Sequence, residues 1–215
     1  LGVKEGDMDD YVALEAYAAA NDLSDPIHYA FMESRMDMDS FMDFICIEDF
    51  VYNSSWRHNR EFWRERKNGA KWRWIVPDLD RGLNTSNQTS SLLDNFVRDF
   101  DLFGDLMANA TFQTKLAQRY AAHLSSTFHP DRIADIVDEA NAEVLNEVSK
   151  HIERWLDEGG IPSLEDRQEE IDEIKEFARE RAPHVYSDFQ DNFGLPGTVD
   201  VTIQVEPSNS GQVLL

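Results

Sequence analysis

The 215-residue chain carries 42 Asp and Glu against 20 Lys and Arg, for a formal net charge of −22. A surface of that sign repels polyanions at long range, which argues against nucleic acid and anionic membranes as partners. With 41% hydrophobic residues the chain can bury one substantial core. No apolar run approaches the ~18 residues of a membrane span, and a single cysteine, Cys46, excludes a disulfide framework or thiolate metal cluster.

The first third reads as helices. Asp7 or Asp9 can cap one through Ala20, with Tyr11, Leu14 and Tyr17 or Ala18 on one face. Ser24 and Pro26 open a second. Asp37 or Asp39 starts a third over Ser40 to Tyr52, where Phe41, Phe44, Ile45, Glu48 and Val51 form a broad apolar stripe and Cys46 reads as a buried structural thiol. The character changes from Asn53 to Gly82, which holds four of the chain's five tryptophans. Glu61 to Arg66 and Lys71 to Val76 are rich in aromatic and β-branched residues. Asn68-Gly69 between them offers the φ > 0 turn of a tight antiparallel hairpin. Pro77 cannot donate to a ladder, so Asp78-Leu79-Asp80 follows as a loop at a strand end.

After Gly82 a polar, turn-prone stretch reads as a surface loop, and the pattern is helical again from Asp99 to Phe193. A helix is expected over Thr111 to Ser125. Another is expected over Asp131 to Leu156, with Ile133, Ile136, Val137, Ala140, Val144, Val148, Ile152 and Trp155 on one face and Gly159-Gly160 as its stop. Ser163 with Asp166 resembles a capping box for a helix through Arg181, and Pro183 sits at the first turn of a last short helix. Val199 to Val205 alternates as a strand and Gln212 begins another, so one domain is expected over 1–196 and a β-rich segment from 197 to 215. The chain opens on Leu1 and stops inside that last strand, which reads as part of a longer protein.

Two carboxylates at i and i+2 in a loop, Asp78 and Asp80, can both turn toward one hard divalent cation, because Mg²⁺ is often held by one or two carboxylates plus phosphate. They can equally cap the following turn or sit in water. A calcium loop fits poorly, since its glycine would fall at Leu83 and its last carboxylate at Thr89. Arg57, Arg60, Arg64, Arg66, Arg73 and Arg81 form a local basic concentration that suits phosphate groups or pairs with the abundant acids; both readings stay open. His58 reads as a base or phosphate contact, or as a hydrogen-bonded structural residue. The tryptophans read as packing.

The order Asn53-x-x-Trp56-x-His58-Asn59, aromatic strand, Lys71-Trp72-Arg73-Trp74, Pro77-Asp78-Leu79-Asp80-x-Gly82 resembles the CotH family of spore-coat and secreted kinase-like proteins. The resemblance implies an α+β, mostly α, protein-kinase-like C-terminal lobe with a small β-hairpin at the active-site edge. It further implies ATP and Mg²⁺ (or Mn²⁺) as cofactors, a protein hydroxyl as phosphoryl acceptor, no membrane insertion, and a secreted or cell-surface bacterial location. Carried over by residue, Asn59 matches the metal-binding amide, and Asp78 and Asp80 match the acidic pair that holds metal against the phosphates. Arg57 and Arg81 fall to the nucleotide, and Ser55 and His58 lie at the catalytic-loop position. The sequence departs from the pattern there, because Ser55 stands where the family has Asp, and Arg60 where a second Asn is common. A serine hydroxyl is no base at neutral pH without an activator, so the resemblance leaves a slow kinase and a non-catalytic pseudokinase module as alternatives. Neither a Gly-rich phosphate loop nor a V-A-I-K-type strand lysine occurs, which places a nucleotide-gripping lobe upstream if the protein is a kinase. Nothing in the sequence indicates an oligomeric state.

Overall fold

The computed structural model describes residues 2–195. Asp37 accepts from the Ser40 amide at 3.2 Å and so caps α3 (Met38–Phe50), on which Phe41, Met42, Phe44, Ile45, Cys46, Glu48, Asp49 and Phe50 are all buried. A helix apolar on nearly every side belongs at the centre of a core. The other elements pack around it. Before it come α1 (Asp9–Ala20), which buries Tyr11, Leu14 and Ala18, and α2 (Pro26–Arg35). The cap of α2 is Asp25, whose carboxylate accepts from Ile27, with Pro26 at the first helical position. No side chain caps α1: Met8 occupies that position and Asp7 accepts from the Asp9 amide at 3.3 Å. Cys46 is fully buried, and burial pushes its thiol well up.

The hairpin forms as β1 (Glu61–Trp63) and β2 (Arg73–Ile75), antiparallel with Glu61 opposite Ile75, Phe62 opposite Trp74 and Trp63 opposite Arg73. It is shorter than the sequence suggests. Trp72 is taken by the α2–α3 junction instead, donating its amide to the Arg35 carbonyl at 2.8 Å and accepting from the Asp37 amide at 2.9 Å. The turn also differs. Gly69 alone takes positive φ (76°), and Ala70 donates to the Lys67 carbonyl, which is the type II pattern rather than the two-residue type I′ turn that Asn-Gly favours. Phe62 stacks on Tyr11 of α1 with ring centroids 3.8 Å apart, anchoring the hairpin to the helical body.

Beyond a single 3₁₀ turn at Thr85–Asn87 come α4 (Leu93–Asp99), α5 (Asp101–Leu106), α6 (Ala110–Leu124), α7 (Pro130–Trp155) and α8 (Leu164–Phe193). Helix thus resumes before Asp99. Ser163 and Asp166 make the expected capping contacts, the Asp166 amide donating to Ser163 Oγ at 3.0 Å. Pro183 heads no separate helix. It lies inside α8, which stays continuous because Phe177, Ala178, Arg181, Val185 and Phe189 hold one face against the core. α7 and α8 run antiparallel, as the pairs Asn141–Arg167 and Asp138–Lys175 show. The α7 stripe is broader than this single neighbour covers: Val148 is buried, whereas Ile136 and Val144 are 51% and 48% exposed. No helix among the described residues is long and apolar enough to cross a membrane. The strands expected over Val199 to Val205 and from Gln212 lie outside the described residues.

Candidate functional site

The end of α3 launches the loop that carries the site. Tyr52 takes φ 50° and turns the chain out of the helix, and the Asn53 amide donates back to the Glu48 carbonyl at 3.0 Å. Tight turns follow, with Trp56 donating to the Asn53 carbonyl, His58 to Ser55 and Asn59 to Trp56. The buried Trp56 ring meets Phe96 edge-on, with centroids 4.6 Å apart, and pins the loop to α4.

The buried side chain of Asn53 spans two segments. Its Nδ2 donates to the Asp78 carbonyl at 3.2 Å, and its Oδ1 accepts from the Ser55 amide at 3.1 Å and the Ser55 hydroxyl at 2.9 Å. Asn59 Nδ2 then donates both to Ser55 Oγ at 3.1 Å and to Asp78 Oδ2 at 3.0 Å. Asp78 itself is held at φ 54°, a left-handed conformation that Asp tolerates better than most residues and that is enriched at functional sites. Ser55, Asn59 and Asp78 are therefore one hydrogen-bonded constellation.

The remaining candidates are placed differently. Arg57 forms an ion pair with Asp99 and lies over the Trp56 ring, so it faces α4. His58 is exposed and joins the loop through its backbone amide. Asp80 and Arg81 are exposed and make no side-chain hydrogen bond or ion pair among the described residues. Much of the basic concentration is spent locally: Arg64 pairs with Asp10, Arg66 with Asp7 and Arg73 with Asp37. Arg60 is different. It has no carboxylate partner within ion-pair distance among the described residues, and its guanidinium lies 4.6 Å from the Phe100 ring centroid and 5.6 Å from that of Trp56.

Burial singles out two further residues beyond the candidates marked by the sequence. In the sequence Asn53 shows only as part of a motif, and Glu48 only as an acid on an apolar stripe. Glu48 is fully buried, and among the described residues neither carboxylate oxygen has a hydrogen-bond partner. Burial pushes its pKa up to about 7, an effect partly offset by the neighbouring Asn53 amide.

For a metal, the oxygens without a hydrogen-bond partner among the described residues are the Asn59 amide oxygen and the second Asp78 carboxylate oxygen, with Asp80 two residues on. Among the described residues no group of three or more His, Cys, Asp or Glu could hold an ion. Such a sparse oxygen set does not make a protein-only cage, but it fits Mg²⁺, which keeps part of its coordination for waters and phosphates. Beside the site opens a groove of about 860 Å³, lined by residues 2–8 together with Arg60, Phe62, Arg64, Trp72 and Ile75. β1 leads from Asn59 into this groove, and β2 leads out of it toward Asp78.

No curated protein and no solved structure matches this chain. A family model described as CotH kinase protein matches residues 2–185, which span every element from α1 into α8 and include the whole constellation around Asn59. The chain belongs to the CotH kinase protein family.

Proposed function

We propose that this chain carries the catalytic-position loop and metal-holding carboxylate of an ATP- and Mg²⁺-dependent protein kinase, which transfers the γ-phosphoryl group to a protein hydroxyl. The observation that carries the reading is the Asn59 amide, which joins Ser55 Oγ at 3.1 Å to the Asp78 carboxylate at 3.0 Å. It sets a hydroxyl-bearing loop position beside a hard oxygen ligand. Asn59 and Asp78, assisted by Asp80, would hold Mg²⁺. A bound Mg²⁺ would neutralise charge on the transferring phosphoryl group. The nucleotide's base side would lie in the adjoining groove, since Arg60 follows Asn59 directly, Phe62 follows it by three residues and Ile75 precedes Asp78 by three. Arg60, without an ion-pair partner among the described residues, suits the phosphates better than Arg57, which pairs with Asp99. Phosphoryl transfer depends mainly on positioning and electrostatics, so Ser55 in the family's Asp position reduces the rate without changing the chemistry. A secreted or surface location rests on the family likeness alone.

A non-catalytic module is the second reading. Its support is that Ser55 Oγ donates to Asn53 Oδ1 at 2.9 Å, leaving no acceptor dedicated to a substrate hydroxyl.

Calorimetry with ATP at saturating Mg²⁺ tests the site. Asp78→Asn is expected to weaken binding tenfold or more, and Asn59→Ala to weaken it less. Equal affinity in all three proteins would sink the assignment.

A further inference from the structure

We propose that α7 carries a docking surface for a basic amphipathic helix of another protein. An uncovered apolar row takes the partner's apolar face, and an acidic row beside it takes the partner's Lys or Arg side chains. The inference is independent of the nucleotide site and of the kinase reading.

α7 is 26 residues long, and residues four apart on a helix stand one above the other in a row along it. One such row is Ile136, Ala140, Val144 and Val148. Val148 is buried, but the other three are exposed, because α7 meets α8 through Asp138 and Asn141, farther round the helix. Exposed apolar side chains that adjoin one another and are rimmed by polar residues mark an interaction surface. The adjoining row is Asp135, Glu139, Glu143 and Glu147, all of them exposed. Among the described residues only Glu147 of this row has an ion-pair partner, Lys150. Like charges four apart repel and destabilise the helix that carries them, so α7 bears a cost that an opposing set of cations would remove.

The acidic row identifies the occupant. A second copy would lay the same acids, on a chain of net charge −22, against their equals. Residues 196–215 contain no Lys or Arg, so this chain's own C-terminal stretch has no cation to offer. A partner helix that sets a row of Leu, Ile or Val beside a row of Lys or Arg matches both rows of α7 at once. Apolar burial then supplies affinity, and the opposed charges fix register and choice of partner.

Three helical peptides of about five turns, titrated calorimetrically into the full chain at physiological salt, test this. The first carries a Leu row beside a Lys row. The second keeps the Leu row and has Glu in place of Lys, and the third has the composition of the first with the Leu row broken up. The first is expected to bind at one site per chain, at least tenfold more tightly than the third, and the second not to bind. Glu139→Lys combined with Glu143→Lys leaves the chain strongly acidic overall, yet is expected to reverse the choice in favour of the Glu peptide. Val144→Ser is expected to weaken the first peptide several-fold. All three side chains are exposed, so the variants should melt with the parent. Equal affinity for the first and third peptides would mean that net charge alone attracts them, and an unreversed choice in the double variant would place the binding elsewhere. Either result overturns the inference. So does an absence of binding, and so does self-association of the parent that Val144→Ser abolishes, which would give this face to a second copy.

Discussion

Arg181 and Asp49 form a buried ion pair across 132 positions of sequence, with Arg181 Nη2 donating to the Asp49 carboxylate at 3.3 Å and to the Asp49 carbonyl at 2.8 Å. The same guanidinium donates through Nε to the Phe50 carbonyl and through Nη1 to the carbonyls of Gln88 and Ser90. Asp49 in turn accepts from the Leu92 amide, Ser91 and Tyr120. One side chain of α8 thus fixes the end of α3, from which the functional loop starts, and the stretch that follows the Asp78 segment.

Arg181→Met leaves Asp49 buried without its cation and four backbone carbonyls without this donor. A loss of about 3–5 kcal/mol is expected, which is the usual cost of breaking a buried pair from one side. Arg181→Lys should rescue little, because an ammonium cannot reach the four carbonyls and the carboxylate as a planar fork does. Urea denaturation of the two variants checks this, and an Arg181→Lys protein as stable as the parent would refute the fork argument.

Glu48 makes stability depend on pH in the direction opposite to most acids. Its folded pKa, about 7, lies above the ordinary carboxylate value of 4.5. The folded state therefore holds a proton that the unfolded state releases. The associated stability is fully present below pH 4.5 and is lost as pH rises through 7. Glu48→Gln carries no such penalty, so it should be more stable than the parent at pH 8 by up to about 3 kcal/mol and no more stable at pH 4. Thermal melts at the two pH values decide it. A gain that is equal at both would mean Glu48 does not titrate in this range.

Gly82 closes the segment that carries Asp78. A Cβ there would stand 2.9 Å from Val51 Cγ2 and 3.0 Å from the Val51 carbonyl oxygen, and Leu83 next to it donates to that carbonyl at 2.7 Å. Gly82→Ala is expected to cost about 1–3 kcal/mol through overpacking. Because the strain falls between α3 and the Asp78 loop, ATP affinity should fall as well. A variant with unchanged melting temperature and affinity would show that the two segments separate freely.

Ser55→Asp separates a slow enzyme from a binding module. Aspartate at this position can accept from Asn59 and take up a substrate hydroxyl proton. A general base typically contributes ~10²–10⁴-fold. Phosphate transfer from ATP is expected to rise by at least tenfold in the variant, measured at saturating Mg²⁺ so that the cation offsets the charge added beside Asp78. Normal ATP binding with no gain in rate would favour the module.

Local signals in the sequence determined much of this protein: the Asp37 cap and apolar run of α3, the Ser163–Asp166 cap, the aromatic hairpin, and Pro77 placing Asp78 in a loop beside it. Helix periodicity, capping and turn chemistry act over a few residues, so they can be read in one dimension. The tertiary structure decided what depends on partners far along the chain. Trp72 leaves the hairpin for the carbonyl of Arg35, Arg57 turns to Asp99, α8 runs on through Pro183, and no neighbour among the described residues is wide enough to cover the α7 stripe. The sequence shows Glu48 and Asn53 only as an acid on a stripe and an amide in a loop. Burial removes the water that would otherwise satisfy them, so Asn53 depends on the few partners fixed around it and the Glu48 carboxyl is pushed toward its protonated form.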